Sequence, residues 1–264
     1  MRILDLFCGG GGAAEGYMRA GHVVQGVDLA DHAASYPGRF EQTDWATGLN
    51  KYADWADVVH ASPPCQGYSS HVVSDGAWDR TQGRDEPRLI ESVRAAIVAT
   101  GKPYVIENVI GARPDMLDPF VLCGAMFGLP IARHRLIESN ITRLAPPVHP
   151  DCRGIARAYA AERGWEYRDM SVTGKGRRAG TSERWSEILG VVHHMTQHEL
   201  RESIPPAYTK YIGGILSGHD AACAHVCPTA DDPEAEWNDE PCQSRPDHAI
   251  IYHDCTMCYE GSEE

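Results

Sequence analysis

Short apolar runs alternate with helix-like patterns over the first 140 residues, and this narrows the possible folds more than any other feature of the chain. Residues 3–7, 23–27, 58–61 and 104–106 read as strands, and 13–20 and 86–100 as helices. Strand and helix in regular alternation make neighbouring strands parallel and wrap the sheet in helices, so the expected class is α/β. A chain of 264 residues with 42% hydrophobic content can bury a core for one domain plus an appendage. From about 142 to 192 the pattern dissolves into Pro, Gly and basic residues. It returns at Thr196-Gln197-His198-Glu199, which has the form of a capping box opening a helix. A second helix is expected after Pro205-Pro206, running to about Leu216. The divisions expected are 1–141, 142–195, 196–218 and a tail, 219–264.

The net charge of -13 belongs largely to that tail. From His219 onward there are 12 acidic residues and one basic residue, Arg245, which leaves 25 acidic and 23 basic residues, or -2, for residues 1–218. The acidity therefore does not argue against a nucleic-acid-binding face on the main body. No run approaches about 20 apolar residues, so no membrane span is expected. The start, Met1-Arg2-Ile3-Leu4-Asp5-Leu6-Phe7, reads as a first strand and not as a signal peptide. With nine cysteines and no export signal, a reducing cytoplasm is the expected compartment.

Four segments carry chemistry. Asp5-Leu6-Phe7-Cys8-Gly9-Gly10-Gly11-Gly12 ends a strand and opens a helix, so a ligand can lie close to the backbone at a helix N-terminus. Asp28 ends the next strand, where a carboxylate commonly accepts from ribose hydroxyls. Asp44 follows a third strand and could meet an exocyclic amine, although alone it reads as a surface carboxylate. Ser62-Pro63-Pro64-Cys65-Gln66-Gly67-Tyr68-Ser69 presents a thiol from a proline-stiffened loop. Cys65 there suits a nucleophile, or equally a buried structural cysteine. Glu107-Asn108 closes another strand and faces the ligand crevice, where an acid could hold a ring nitrogen. Arg133 and Arg135, two apart with side chains on one face, suit phosphate binding or steadying of negative charge.

In that order, DLFCGGGG, SPPCQGYS, ENV and GLPIARHRLIE resemble the cytosine-5 DNA methyltransferase family. Ser203-Ile204-Pro205-Pro206-Ala207-Tyr208 is similar to its last motif, so the resemblance covers about residues 1–216. It implies a Rossmann-like class I methyltransferase fold with S-adenosylmethionine as cofactor. Asp5, Phe7, Cys8, Gly9, Gly11, Asp28, Leu29, Asp44 and Pro64 would line its pocket, with Phe7 on the adenine, Asp28 on the ribose and Asp44 on the amino group. Cys65 would add to carbon 6 of a cytosine flipped from duplex DNA, and Glu107 would hold nitrogen 3. Arg133 and Arg135 would secure the base. Residues 142–195 would be a reduced target-recognition region, with Lys175, Arg177 and Arg178 on phosphates or base edges, or else a solvated loop. The expected partner is double-stranded DNA, bound by a monomer.

The chain departs from the family pattern in two places. Ile131-Ala132 stand where the family has a glutamine before the paired arginines. Arg201-Glu202 stand where it has Gly-Asn before the serine. A glutamate near the cofactor's methionine end leaves open a sulfonium donor with a larger group. RNA as substrate and a catalytically silent DNA-binding protein also stay open. The compact length favours a phage or mobile-element setting, beside a restriction-modification or orphan role. In the tail, Cys223-x3-Cys227 and Cys255-x2-Cys258 have the spacing of structural zinc ligands, so a small zinc-stabilised appendage is expected there, against unligated thiols.

Overall fold

The computed structural model describes residues 1–68, 87–172 and 181–218. Among them, seven strands form one sheet: β1 (Arg2–Leu6), β2 (Val23–Asp28), β3 (Arg39–Gln42), β4 (Val58–Ala61), β5 (Tyr104–Asn108), β6 (Phe120–Leu122) and β7 (Arg135–Ser139). Their order is β3-β2-β1-β4-β5-β7-β6. The first five strands pair in parallel, while β7 runs antiparallel to both β5 and β6. The expected α/β class and mostly parallel sheet hold, with β7 as the one reversed strand among the described residues.

Both faces of the sheet are covered, so the strands read as continuous apolar runs whose alternate side chains enter two different cores. Leu4, Leu6, Val59, Ile106 and Leu136 meet α3 (Ile90–Ala99) through Ile90, Val93 and Ile97. Ile3, Val24, Val105 and Ile137 face the other way. There they meet Tyr17 of α1 (Gly12–Arg19) and, through Tyr208, Ile212 and Ile215, the last helix, Pro206–Leu216. The last helix starts on a proline at its first turn, where the missing N–H costs nothing. The capping box at Thr196 and Glu199 forms as expected and opens the helix Gln197–Glu202.

Two elements appear where sequence periodicity dissolves. Cys152–Glu162 is a helix whose buried positions, Cys152, Ala156 and Ala160, repeat every four residues but are small. Its apolar stripe is therefore faint in sequence. Ser182–Leu189 is a second helix, capped by Thr181 and ended by Gly190 at φ +69°. It buries Trp185, Ile188 and Leu189 in a third core with Met170, Val172, Met195 and Leu200. In chain order these four helices are α4 (Cys152–Glu162), α5 (Ser182–Leu189), α6 (Gln197–Glu202) and α7 (Pro206–Leu216), with α2 at Trp45–Tyr52. The span 142–195 thus contains packed structure of its own, and is not loop throughout.

Candidate active site

Strand order reverses between β1 and β4, which opens a crevice beyond the carboxyl ends of the parallel strands. A cavity of about 780 Å³ lies there, within the range of small-molecule sites. The glycine loop after β1, Asp28 at the end of β2, the Pro-Pro-Cys loop after β4 and Glu107 near the end of β5 all reach it. The reversal of β7 brings its first residue, Arg135, to the same edge, because Asn108 pairs with Leu136.

The glycine-loop half fits a polar nucleoside-type ligand. Asp5 is fully buried, and loss of solvation raises its carboxyl to about 7 even though Tyr36 Oη donates to Oδ2 at 3.1 Å. Its Oδ1 is buried with no hydrogen-bond partner, and Asp5 lines the cavity, so an N–H donor of a ligand reaching Oδ1 would satisfy it. Gly9 has φ +48°, and a Cβ there would project into open space, so backbone and cavity meet without a side chain between them. Asp28 holds this loop: Oδ2 accepts from Gly9 N–H at 3.0 Å and Oδ1 from Ala30 N–H at 2.9 Å. Leu29 is 74% exposed against the cavity, an apolar surface for a flat ring. Phe7, held at φ +58°, stacks on Trp45 with centroids 6.1 Å apart. Cys8, Gly11 and Pro64 also line the cavity. Asp44 reaches it too, but its carboxylate caps the helix Trp45–Tyr52, accepting from Ala46 and Thr47 N–H and from Thr47 Oγ1. These hydrogen bonds, first that of Thr47, hold its pKa below the usual range.

The second half gathers Cys65, Glu107 and Arg135. Burial, then the Glu107 charge, pushes the Cys65 thiol up, with Arg135 opposing, so the resting residue is a thiol. Glu107 is buried and its carboxyl is raised by lost solvation, against the pull of Arg135 and Arg133. Arg135 Nε stands 2.9 Å from Glu107 Oε1, an ion pair without the alignment of a hydrogen bond, and Oε1 accepts none. Asn108 Nδ2 donates to the Pro63 carbonyl at 2.9 Å, fixing the Pro-Pro-Cys loop to the strand that carries Glu107. Arg133 lies outside the cavity lining. It precedes β7, is buried, and donates from Nη2 to the Arg201 carbonyl at 2.6 Å. Burial lowers its pKa to about 9. The two arginines therefore do not form one row on a strand face, because β7 begins only at Arg135.

Sequence reading missed a buried polar chain behind Glu107. Tyr17 Oη lies 3.0 Å from His60 Nδ1, His60 Nε2 lies 3.1 Å from Ser62 Oγ, and Ser62 hydrogen-bonds Glu107. Burial lowers His60 to about 3, so the ring is neutral, with one donor and one acceptor nitrogen. Tyr17 donating to Nδ1 leaves Nε2–H for Ser62 and the serine hydroxyl hydrogen for Glu107. The return segment also contributes: Glu199 and Glu202 line the cavity. Burial would raise Glu199, but hydrogen bonds from Ser35, Thr196 and His32 outweigh it and hold the carboxyl near 2. Lys175, Arg177 and Arg178, and the tail cysteines Cys223, Cys227, Cys255 and Cys258, lie outside the described residues. No helix among the described residues is long and apolar enough to cross a membrane.

No family model matches the chain. It is 27% identical over 180 residues to the type II methyltransferase M.AgeI of Thalassovita gelatinovora, covering 56% of this chain and 42% of that protein. It is 30% identical over 171 residues to the type II methyltransferase M1.HphI of Haemophilus parahaemolyticus, covering 52% and 45%. The chain spans less than half the length of these curated relatives. Among solved structures, the Dnmt2 methyltransferase of S. pombe superposes with a TM-score of 0.49 at 13% identity, over 83% of this chain and 98% of that one. At that score the likeness carries no weight beside the sheet order itself. Over about half of its length the chain is therefore similar to type II methyltransferases.

Proposed function

We propose that this protein transfers a methyl group from S-adenosylmethionine to carbon 5 of cytosine in DNA, through a covalent adduct of Cys65. The observation that carries the reading is one cavity holding Cys65, the buried Glu107–Arg135 pair and the glycine loop with its unpartnered Asp5 oxygen. The cofactor, when bound, supplies an electrophilic methyl. Asp5, Asp28 and Leu29 would hold its polar and flat parts, with Phe7 and Trp45 closing the pocket side and Pro64 standing between it and the base. The free Asp5 oxygen, the open Gly9 cradle and the exposed Leu29 all fit such a ligand.

The protein's own residues supply the rest. Cytosine carbon 5 is a weak nucleophile until a group adds at carbon 6. The Cys65 sulfur would form that bond after giving up its proton, and its ring partner must come out of the base stack to be reached. A Glu107 raised by burial is more readily the acid form, which donates a hydrogen bond to ring nitrogen 3 as electron density moves there. Arg135 limits that rise and steadies the ring's oxygen side, while Ser62, held by His60, fixes the Glu107 rotamer. Once carbon 5 has taken the methyl, loss of its proton to water breaks the bond between carbon 6 and sulfur, restores the ring and expels Cys65 as a thiolate, which takes back a proton. Arg133 is a positioning residue, tying the Arg135 segment to Arg201. Lys175, Arg177 and Arg178 remain proposed DNA contacts, and the tail cysteines a proposed zinc site.

Incubation with methyl-labelled S-adenosylmethionine and duplex DNA, RNA or dCMP, then digestion to nucleosides, tests this. 5-Methylcytosine from DNA alone is expected. N4-methylcytosine, N6-methyladenine, or label in RNA only would overturn the substrate or the chemistry. The mass of the transferred group separates methyl from any larger donor substituent.

A further inference from the structure

Away from the cavity, at the sheet edge beyond β6, four potential metal ligands converge that no motif in the sequence announces: Cys123, His134, His149 and Cys152. Their donor atoms all lie within 4.8 Å of one another. His134 Nε2 and His149 Nε2 are 3.0 Å apart, and Cys152 Sγ is 3.9 Å from His134 Nε2. Zinc bonded tetrahedrally at about 2.3 Å to sulfur and about 2.0–2.1 Å to nitrogen puts N and N roughly 3.3 Å apart, and N and S roughly 3.6 Å apart. These two pairs are within tenths of an ångström of those separations, and the remaining pairs, all under 4.8 Å, need to close by no more than about 1 Å. Two thiolates would neutralise the dication, which suits a site with both cysteines buried, His134 half-buried and His149 exposed.

Cys123 sits before the short 3-10 helix Gly124–Phe127, with its thiol donating to the Ile131 carbonyl at 3.9 Å. Cys152 opens α4 directly after its cap residue, Asp151. With the fourth ligand, His149, in the loop before that cap, all four come from loop ends and helix starts that a metal would tie together. We infer that Cys123, His134, His149 and Cys152 form a structural Cys2His2 zinc site clamping the start of α4 to the edge of the sheet. Soft sulfur and imidazole in a closed tetrahedral set, with no carboxylate, favour zinc over magnesium, calcium or manganese. The clamp lies beside the catalytic face, because His134 stands between Arg133 and Arg135. It does not depend on which base or donor the cavity takes.

The tail cysteines must be removed from the measurement without shortening the chain. The full-length protein with Cys223, Cys227, Cys255 and Cys258 all changed to serine, purified without chelator, should carry about one zinc per chain by elemental mass spectrometry. Cobalt in place of zinc should give the strong visible bands of a tetrahedral thiolate site. Chelation should lower the melting temperature by more than about 5 °C. His149→Ala, chosen because His149 is exposed and the variant should fold, should lose about one equivalent of zinc in both backgrounds. If the serine variant fails to fold, loss of about one equivalent on His149→Ala in the wild-type chain decides in favour. A folded serine variant with no zinc and no chelator-induced shift overturns the inference, and so does zinc retained by His149→Ala. A Cys123–Cys152 disulfide in protein kept under reductant would also overturn it.

Discussion

Cys65 carries a field that favours its thiol: burial, then the Glu107 charge, raise it, and Arg135 opposes without reversing the shift. Iodoacetamide alkylation of Cys65 should therefore accelerate with pH and reach half its maximum above pH 9. A midpoint near pH 7 would mean a proton acceptor not identified in this cavity. Cys65→Ser should lower methyl transfer at least about a thousandfold with the fold intact, because oxygen at this site cannot add to carbon 6 at a useful rate. A variant with full turnover would end the covalent mechanism. Ser62→Ala removes one hydrogen bond to Glu107, worth about 1 kcal/mol, so kcat should fall roughly fivefold with KM for the cofactor unchanged. Steady-state kinetics would read that split, and an equal rise in cofactor KM would place Ser62 elsewhere in the mechanism. At this scale the sequence was legible wherever a motif is contiguous. Cys65 stands in the proline-stiffened loop just after β4 and Glu107 one residue before the end of β5, so both are marked by local signals. The Tyr17–His60–Ser62 chain was not legible, since Tyr17 and His60 are 43 residues apart and meet only through the order of the sheet.

Among the elements, the reversed β7 does most for the site, because a parallel strand there would carry Arg135 to the opposite edge. Its reversal was invisible in Leu136-Ile137, since an apolar pair has no direction. The close crossing of α1 on α7 is the tightest constraint between helices. A Cβ at Gly16 would stand 2.0 Å from the Pro206 carbonyl and 2.0 Å from Thr209 Oγ1. Gly16→Val should destabilise the protein by at least ~2 kcal/mol, read as a shift in the urea midpoint, because two helix backbones must separate to admit it. An unchanged midpoint would mean that the helices do not cross this closely. Sequence marked α1 and α7 correctly through the glycine loop and Pro205-Pro206. It missed α4 because alanines make a weak apolar stripe. It missed α5 although Thr181, Trp185-x2-Ile188-Leu189 and Gly190 carry a cap, a stripe and a stop, which neighbouring Pro, Gly and basic residues obscured.

Across the whole molecule, the return segment closes back on the glycine loop. His193 lies between Glu15 on α1 and the Gly10 carbonyl, with its Nε2 at 2.8 Å from the latter. Burial opposes protonation of this ring, but Glu15 and Gly10 outweigh it and raise the pKa above 6.5. A raised folded-state value means stability fully present below about pH 6.5 and lost as pH rises through the higher folded value. Wild type should therefore melt above His193→Gln at pH 6, with the gap narrowing by pH 8.5. A gap independent of pH would show that the ring acts while neutral. Glu15 and His193 are 178 residues apart, so nothing local joins them. The same distance problem hid the Cys123, His134, His149 and Cys152 cluster, while compact cysteine spacings in the tail stood out. The fold class and the carboxyl-edge site were legible because each depends on short segments and a regular alternation; the clamps that bind them together depend on contacts between distant segments. Covalent catalysis turns on Cys65, and a duplex containing 5-fluorocytosine at the modified position tests it most directly. Fluorine cannot leave carbon 5 as a proton does, so in the presence of S-adenosylmethionine the complex should survive denaturation and the DNA should map to the peptide containing Cys65. A denaturation-sensitive complex from an enzyme that still methylates the unfluorinated duplex, or an adduct on any other residue, would contradict it.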